Sequence, residues 1–292
     1  MNISKFETFL KVVELGSLTK AAEQLGYTQS AVSHIISGLE EDFGFSLLTR
    51  SRSGVKLTSD GERILPAIRT ILNSREQLGQ ITASIRGLHS GTVRIGAFTS
   101  VAVHWLPGMI KTFQQDYPNI DFKLLNGDYF DIEQWLGDCS VDAGFVNLPC
   151  NPECECIPLR EDRVLAVLPK GHCLCGRPFF PLAELEKEPF ISLLENSDHD
   201  ARRALEHTGV IPHVKFYTKD DYAIIAMVEQ GLGISIMPEL VLEGHMENIE
   251  VMELENRPRR TIGLAIPPGS QTSPATRKFV DYAIHWVEKN AK

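Results

Sequence analysis

The 292-residue sequence lacks an apolar run long enough to cross a membrane. Its most apolar stretch between charges, Ile95 to Ile110, is interrupted by His104 and Pro107 and falls short of the roughly 20 residues that a spanning helix needs. The first residues also lack a basic start followed by an apolar block and a small-residue cleavage site. We therefore expect no membrane partner and a cytoplasmic location.

The sequence motifs of several enzyme classes are missing as well. The chain has no Gly-x-Ser-x-Gly elbow, no Walker loop, no His-Glu-x-x-His pair and no complete Gly-x-Gly-x-x-Gly. Its nine histidines show no ligand spacing next to a base. Neither catalysis, nor a cofactor, nor a resident metal is therefore expected. A small-molecule-binding protein or an enzyme with an α/β cleft is a minor alternative.

The whole chain has a net charge of −9, but its first part is nearly neutral. Residues 1–88 contain ten Lys or Arg and nine Asp or Glu, whereas residues 89–292 contain 19 and 29. This asymmetry is compatible with one part that meets a polyanion and a separate acidic part. At roughly 150 residues per domain the length predicts about two domains. A DNA-packaging protein is not expected, because such proteins are basic throughout.

Three short helices are predicted at the N-terminus. The first begins with a capping box at Ser4 and ends at Gly16. Ser17 can cap the second helix, which ends at Gly26, and Thr28 can cap the third. Two helices joined by so tight a turn are typical of a helix-turn-helix.

The outward face of the third helix carries small polar side chains and no carboxylate between residues 29 and 39. A glutamine can bond an adenine edge twice, a serine can bond bases or phosphates, and a helix N-terminus attracts a phosphate. A predicted hairpin after this helix carries cations that can neutralise DNA phosphates. An ordinary solvated face is the alternative, but the helix-turn-helix context favours DNA. The predicted contacts are Thr28, Gln29, Ser30, Ser33, His34, Ser37, Arg50, Arg52 and Lys56.

A long helix is predicted from Thr58 or Ser59 to about Gly87. Its apolar residues recur at seven-residue intervals, which indicates a coiled-coil seam. Because roughly thirty helical residues exceed what one small domain covers, the seam is expected to meet a second chain. The alternative is packing on its own C-terminal domain. The predicted dimerisation residues are Ile64, Ile71, Leu78 and Ile85.

Strands and helices alternate after the long helix, which predicts an α/β fold with parallel strands. Thr99 and Ser100 lie where the first strand turns into a helix, and Thr218 and Lys219 lie at a similar turn. Asn147 lies at the expected crossover. Hydroxyls and free backbone N–H groups at such turns can hold an anion or a carboxylate, so a small anionic effector is expected there. For Thr218 and Asn147 a helix cap is the alternative.

Three groups of residues in the N-terminal part follow one another in a characteristic order. They are Ser17-Leu18-Thr19-x-Ala21-Ala22-x-x-Leu25, then Gln29-Ser30-Ala31-Val32-Ser33-x-x-Ile36-x-x-Leu39-Glu40, and then Gly44, Leu47, Arg50, Leu57-Thr58 and Gly61. These residues resemble the winged helix-turn-helix of the LysR-type transcriptional regulators. The resemblance implies a DNA-binding domain over residues 1–58, a linker helix that dimerises over 59–90 and an effector-binding domain over 91–292.

The C-terminal part is similar, more loosely, to the effector-binding part of the same family, which looks like a periplasmic binding protein. The similarity implies two subdomains, 91–148 with 267–292 and 149–266, hinged around a ligand cleft. It also implies a homodimer or homotetramer on double-stranded DNA, and contact with RNA polymerase if the protein is an activator. The matching residues include Gly91-Thr92-Val93-Arg94-Ile95-Gly96, Leu106-Pro107 and Val228-x-x-Gly231-Leu232-Gly233-Ile234.

Five of the six cysteines lie within 26 residues of sequence. Without a secretion signal most of them are expected to be reduced thiols. Short strands at 157–159 and 164–168, paired as a hairpin, would bring the two cysteine groups together. Four thiolates could then bind zinc or another thiophilic metal, or two could form a disulfide, so a regulator that senses metal or redox state is the alternative function. The candidates are Cys150, Cys154, Cys156, Cys173 and Cys175.

Overall fold

The chain folds into two compact units, residues 1–88 with 137–140 and residues 89–136 with 141–292. No helix in the described part of the chain is long and apolar enough to cross a membrane. The computed structural model describes residues 2–51, 54–86, 90–151, 153–193, 200–267 and 272–291.

Each of the first three helices begins at a capping side chain and ends at a glycine in the left-handed conformation. The first helix begins before Ser4, because the side chain of Asn2 accepts the backbone N–H of Ser4 and is the actual cap. The helices are α1 (Ile3–Leu15), α2 (Leu18–Leu25) and α3 (Gln29–Phe43).

The apolar faces of these helices meet in one core, in which Phe9, Val32 and Ile36 are fully buried. A two-stranded wing follows, formed by β1 (Leu48–Ser51) and β2 (Gly54–Leu57) in antiparallel register. A long helix, α4 (Ser59–Ile85), begins at the Thr58 cap and contains Pro66. Together, α1–α3, the two wing strands and α4 form the winged helix-turn-helix and long helix that the sequence predicted.

The second unit begins as a parallel sheet covered by helices. Alternation of strand and helix brings β3, β4 and β5 side by side, with β3 in the middle. The elements are β3 (Gly91–Ala97), α5 (Thr99–His104), α6 (Leu106–Asp116), β4 (Ile120–Asn126), α7 (Tyr129–Gly137) and β5 (Ala143–Leu148).

One long strand, β6 (Glu155–Pro169), links this sheet to a second subdomain. Its first half pairs with β11 (Arg259–Ile266), and its second half pairs with the two strands β9 and β10. The remaining elements are β7 (Phe190–Leu193), α8 (Asp200–Leu205), β8 (Val214–Thr218), α9 (Asp221–Glu229), β9 (Ser235–Pro238), α10 (Glu239–Leu242), β10 (Ile249–Glu253) and α11 (Pro274–Asn290).

The continuous β6 differs from two sequence expectations. Residues 157–159 and 164–168 belong to one strand rather than a hairpin, because residues 160–163 contain no glycine or proline to turn the chain. Strand pairing also places 155–163 and 259–266 in the first sheet. The subdomains therefore divide near residues 163 and 258, and not at the expected 149 and 266. α11 packs on the first subdomain, as expected for residues after 267.

Candidate functional site

The outward face of α3 is open from its first turn. Gln29, Ser30 and His34 are exposed, and Ser33 and Ser37 are half-buried. No carboxylate lies on this helix before residue 40. The face can therefore approach DNA phosphates without repulsion.

The wing lies beside the same helix. Arg50 Nη1 donates to Ser33 Oγ at 3.2 Å, which brings a wing cation next to the outward face. Lys56 is exposed on the second wing strand, and Arg52 lies outside the described residues. Thr28 accepts the backbone N–H of residue 31 at 3.2 Å, so it caps α3 and keeps the first turn in place. The structure thus brings the described DNA candidates together on one side of the first unit.

An apolar row lies along α4, and its first member, Ile64, packs against the core of the first unit. Ile64 is half-buried, but Ile71, Leu78 and Ile85 are 41%, 65% and 82% exposed, and Ile81 in the adjoining row is 40% exposed. We call these five residues the α4 stripe. Because long apolar rows on a surface helix are costly in water, the α4 stripe is a candidate interface.

A cavity of about 390 Å³ lies between the two subdomains of the second unit. Of the expected effector contacts, Thr99, Ser100 and Lys219 belong to its lining. Asn147 and Thr218 do not, and each has another contact. Thr218 accepts the backbone N–H of residue 220 at 3.2 Å, at the turn before α9.

Asn147 is buried, and its Nδ2 donates to Asp200 at 3.1 Å. Its Oδ1 is buried and has no hydrogen-bond partner among the described residues. Asn147 borders a second cavity of about 590 Å³, which Arg203 and Arg259 also line. Asp200 and Arg260 line both cavities and so separate them.

Arg260 is the centre of the polar network at the cavity. It is buried beside Asp162, its partner in the β6–β11 ladder, and their side chains form an ion pair at 2.7 Å. It also donates to Asp200 at 3.1 Å, to the Tyr129 hydroxyl at 2.8 Å and to Ser100 Oγ at 2.9 Å. These partners come from both subdomains, so Arg260 ties the two together.

The charged groups in this network shift one another's pKa values. Burial alone would lower the pKa of Arg260, but the Tyr129 phenol and the carboxylates of Asp200 and Asp162 raise it above its ordinary value. Burial raises the pKa of Asp162, an effect that Arg260 partly offsets. The arginine therefore stays charged and is fully engaged by its own chain.

Asp221 lies at the start of α9 and lines the same cavity. Burial raises its pKa to about 6, although the Thr99 hydroxyl donates to the carboxylate and lowers the pKa. Thr99 belongs to the first subdomain and Asp221 to the second, so this hydrogen bond also crosses the cleft. No lysine or arginine of the described residues forms an ion pair with Asp221.

Two family models match almost the whole chain. Residues 3–62 match the bacterial regulatory helix-turn-helix protein model of the lysR family, and residues 86–288 match the LysR substrate binding domain. The chain belongs to the LysR family. It is a LysR-type transcriptional regulator with a DNA-binding helix-turn-helix and an effector-binding domain.

Relatives and solved structures agree with this assignment. The uncharacterized HTH-type transcriptional regulator YvbU of Bacillus subtilis is 32% identical over 286 residues, covering 97% of this chain and 98% of YvbU. Full-length OxyR from Pseudomonas aeruginosa has the same fold with a TM-score of 0.78 at 19% identity, covering 99% and 95% of the two chains. The LysR regulator CbnR, solved in complex with its target DNA, gives a TM-score of 0.66 at 20% identity, covering 98% and 100%.

Sequence reasoning overlooked most of the polar groups at the cleft of this LysR regulator. Asp200, Arg260 and Tyr129 lie 60 to 131 residues apart in pairs, and only the folded chain brings them together. It also overlooked Glu40, whose carboxylate accepts the backbone N–H of Leu47 at 2.7 Å and so fixes the start of the wing. The glutamate at this place in the helix-turn-helix motif was the available signal.

The cysteines of this LysR regulator do not form one site. Cys150 and Cys156 are joined in a disulfide, which is one of the alternatives that the sequence left open, and the other four cysteines are outside any disulfide, in line with mostly reduced thiols. Cys154 packs with them against the core of the first subdomain, whereas Cys175 packs against a core of the second. Because β6 runs straight through, the two groups stay on different subdomains, and the described residues do not form the four-thiolate site that was the alternative.

Proposed function

We propose that this LysR-type regulator binds double-stranded DNA as a homodimer or homotetramer through α3 and the wing. In this proposal Gln29, Ser30, Ser33 and His34 read bases, and Arg50, Arg52 and Lys56 hold phosphates, while Thr28 and Ser37 flank the same face. The supporting observation is the exposed, carboxylate-free front of α3 with Arg50 beside it. If the regulator is an activator, RNA polymerase is a further partner.

The effector half of the proposal is that a small molecule binds in the cavity between the subdomains and changes how they close. Thr99 and Ser100 contribute from one side and Lys219 from the other. Asn147 and Thr218 do not contact the ligand in this proposal. Asn147 positions Asp200 by a hydrogen bond, and Thr218 stabilises the turn before α9. The proposed role is sensing and not catalysis, in line with relatives named as transcriptional regulators.

The DNA assignment is tested with duplexes selected from a random library by the wild-type chain. Arg50→Ala should weaken binding to selected and random DNA alike and reduce the salt slope by about 1, because it removes a phosphate contact. Gln29→Ala should weaken binding to the selected site by roughly 10-fold and leave random DNA unaffected, because it removes a base contact. Lys123→Ala, on an exposed residue of β4, is the control. An equal loss on every DNA from Gln29→Ala would refute this division of roles.

A redox response is a second candidate function, supported by the Cys150–Cys156 disulfide. Reduction would release two thiols and consume two electrons and two protons, and it would free the chain between β5 and β6. If this is the signal, reductant should change DNA affinity in the wild type and have no effect in Cys150→Ser. Cys139→Ser, which removes a free thiol, is the control. Unchanged affinity in the wild type would exclude a redox role for the pair.

A further inference from the structure

The cavity between the subdomains is lined by more negative than positive side chains. Lys219 and Arg260 are its cations, and four aspartates face them: Asp128, Asp131, Asp200 and Asp221. Since Arg260 already pairs with two carboxylates of its own chain, it does not offer a free charge to a ligand. An anionic ligand would therefore meet an acidic lining with one exposed lysine.

Three of the four aspartates have local roles. Asp128 and Asp131 accept each other's backbone N–H groups, at 2.8 and 3.1 Å, where α7 begins. Asp200 receives hydrogen bonds from Tyr129, Asn147 and Arg260. These three carboxylates therefore stabilise the structure around the cavity through hydrogen bonds within the chain.

Asp221 is different, because its carboxylate has a hydroxyl partner but forms no ion pair with a cation of the described residues; Arg260 lowers its pKa only through longer-range attraction. Burial raises its pKa to about 6, so near neutral pH it is mostly ionised in a place that disfavours the charge. A half-buried carboxylate of this kind is stabilised when a cation arrives from outside the chain.

The rest of the lining suits a carbon skeleton that carries such a cation. Phe98, Tyr129, Leu193 and Val241 contribute apolar or aromatic surface to the cavity. Phe98 and Tyr129 already have a guanidinium group of the chain over the ring, that of Arg260 at 5.0 Å and that of Arg203 at 5.9 Å. The lining as a whole is mainly polar, so this apolar part can accommodate only a short carbon skeleton.

We propose that the effector of this LysR regulator carries a protonated amine, which forms an ion pair with Asp221 inside the cavity. The inference rests on the proposed sensing role of the cavity, and it replaces the anionic effector that the sequence suggested. The family match, which assigns ligand binding to this domain, points independently to a small molecule here.

The position of Asp221 also connects such a ligand to closure of the cleft. Thr99 on α5 and Asp221 on α9 already join the two subdomains through a hydrogen bond. An ammonium group placed beside them contacts both and neutralises the carboxylate. The bound amine thus favours the arrangement in which the subdomains are close.

The test compares matched compounds on the full-length chain by thermal unfolding near neutral pH. Diaminobutane and diaminopentane are the amine probes, and succinate and glutarate are the carboxylates of the same lengths. A diamine well above its dissociation constant should raise the unfolding temperature of the effector domain by roughly 5 °C, and the dicarboxylates should not. Asp221→Asn should abolish the shift, and Asp121→Asn, on an exposed strand residue, should keep it.

Other outcomes overturn the inference in distinguishable ways. A shift with a dicarboxylate that Ser100→Ala removes would leave the cavity as the sensor and refute the amine. A diamine shift that persists in Asp221→Asn would place the amine at another site. Absence of any shift with both diamines would contradict the assignment of an amine to this cavity.

Discussion

Arg260 and Asp221 illustrate two opposite ways of placing a charge in the cleft. Arg260 is buried with every strong partner supplied by the chain, so its charge is neutralised without a ligand. Burying an ion pair in this way gives little net stability, but leaving one member unpaired costs several kcal/mol. Arg260 therefore acts in the fold, and Asp221, which forms no ion pair with a cation of the described residues, remains for binding.

Asp221→Asn is expected to stabilise the effector domain near neutral pH. The folded pKa of about 6 lies above the ordinary value near 3.9, so the protonated carboxyl favours folding. Its stabilising contribution is complete below about pH 4 and is lost as pH rises through about 6. The amide imitates the protonated form, so the unfolding temperature of the variant should exceed that of the wild type near neutral pH and match it in acid.

The measurement is thermal unfolding across this pH range, with Asp121→Asn as the exposed control. An equal difference at every pH would mean that the effect of Asp221→Asn does not come from titration of this carboxyl.

The helices of the first unit could be predicted from the sequence because their determinants are local. Ser17 and Thr28 each precede an apolar row at helical spacing, and a glycine ends each helix. Two other features could not be predicted from the sequence: the continuity of β6 and the ion pair between Arg260 and Asp162. The two paired residues are 98 positions apart, and they meet only through the register of β6 and β11. At the site, the sequence was sufficient to locate the strand-to-helix turn at Thr99, but not to identify Asp221, the acid that Thr99 contacts.

The α4 stripe predicts that a charge in the middle of the seam separates the subunits. Leu78→Glu places a carboxylate where the stripe is 65% exposed in one chain and would be buried in a dimer. The dissociation constant of the dimer should rise by at least about 100-fold, since roughly 3 kcal/mol is a modest cost for an unpaired buried charge. Sedimentation equilibrium measures it.

Glu62→Lys alters an exposed charge on the same helix outside the α4 stripe and should leave the dimer intact. An oligomer unaffected by Leu78→Glu would show that another surface carries self-association and that the stripe is covered in a different way.

At the scale of the whole molecule, DNA and effector are assigned to two different compact units. A ligand in one unit can influence DNA binding by the other only if it binds two states of the chain with different affinity. The coupling is then a free energy shared by both sites, and typical couplings change affinity by roughly 5- to 150-fold. The effector must therefore change the affinity for DNA by the same factor by which DNA changes the affinity for the effector.

Reciprocity gives a test that does not require the natural effector. The amine that stabilises the chain should change the affinity for a selected duplex by some factor, and saturating duplex should change the affinity for that amine by the same factor. Fluorescence anisotropy measures the first value and calorimetry the second. Asp221→Asn should abolish both changes, and Asp121→Asn should keep them. Unequal factors at constant oligomeric state would show that the amine acts at a second place, for example on DNA itself, rather than through the cavity.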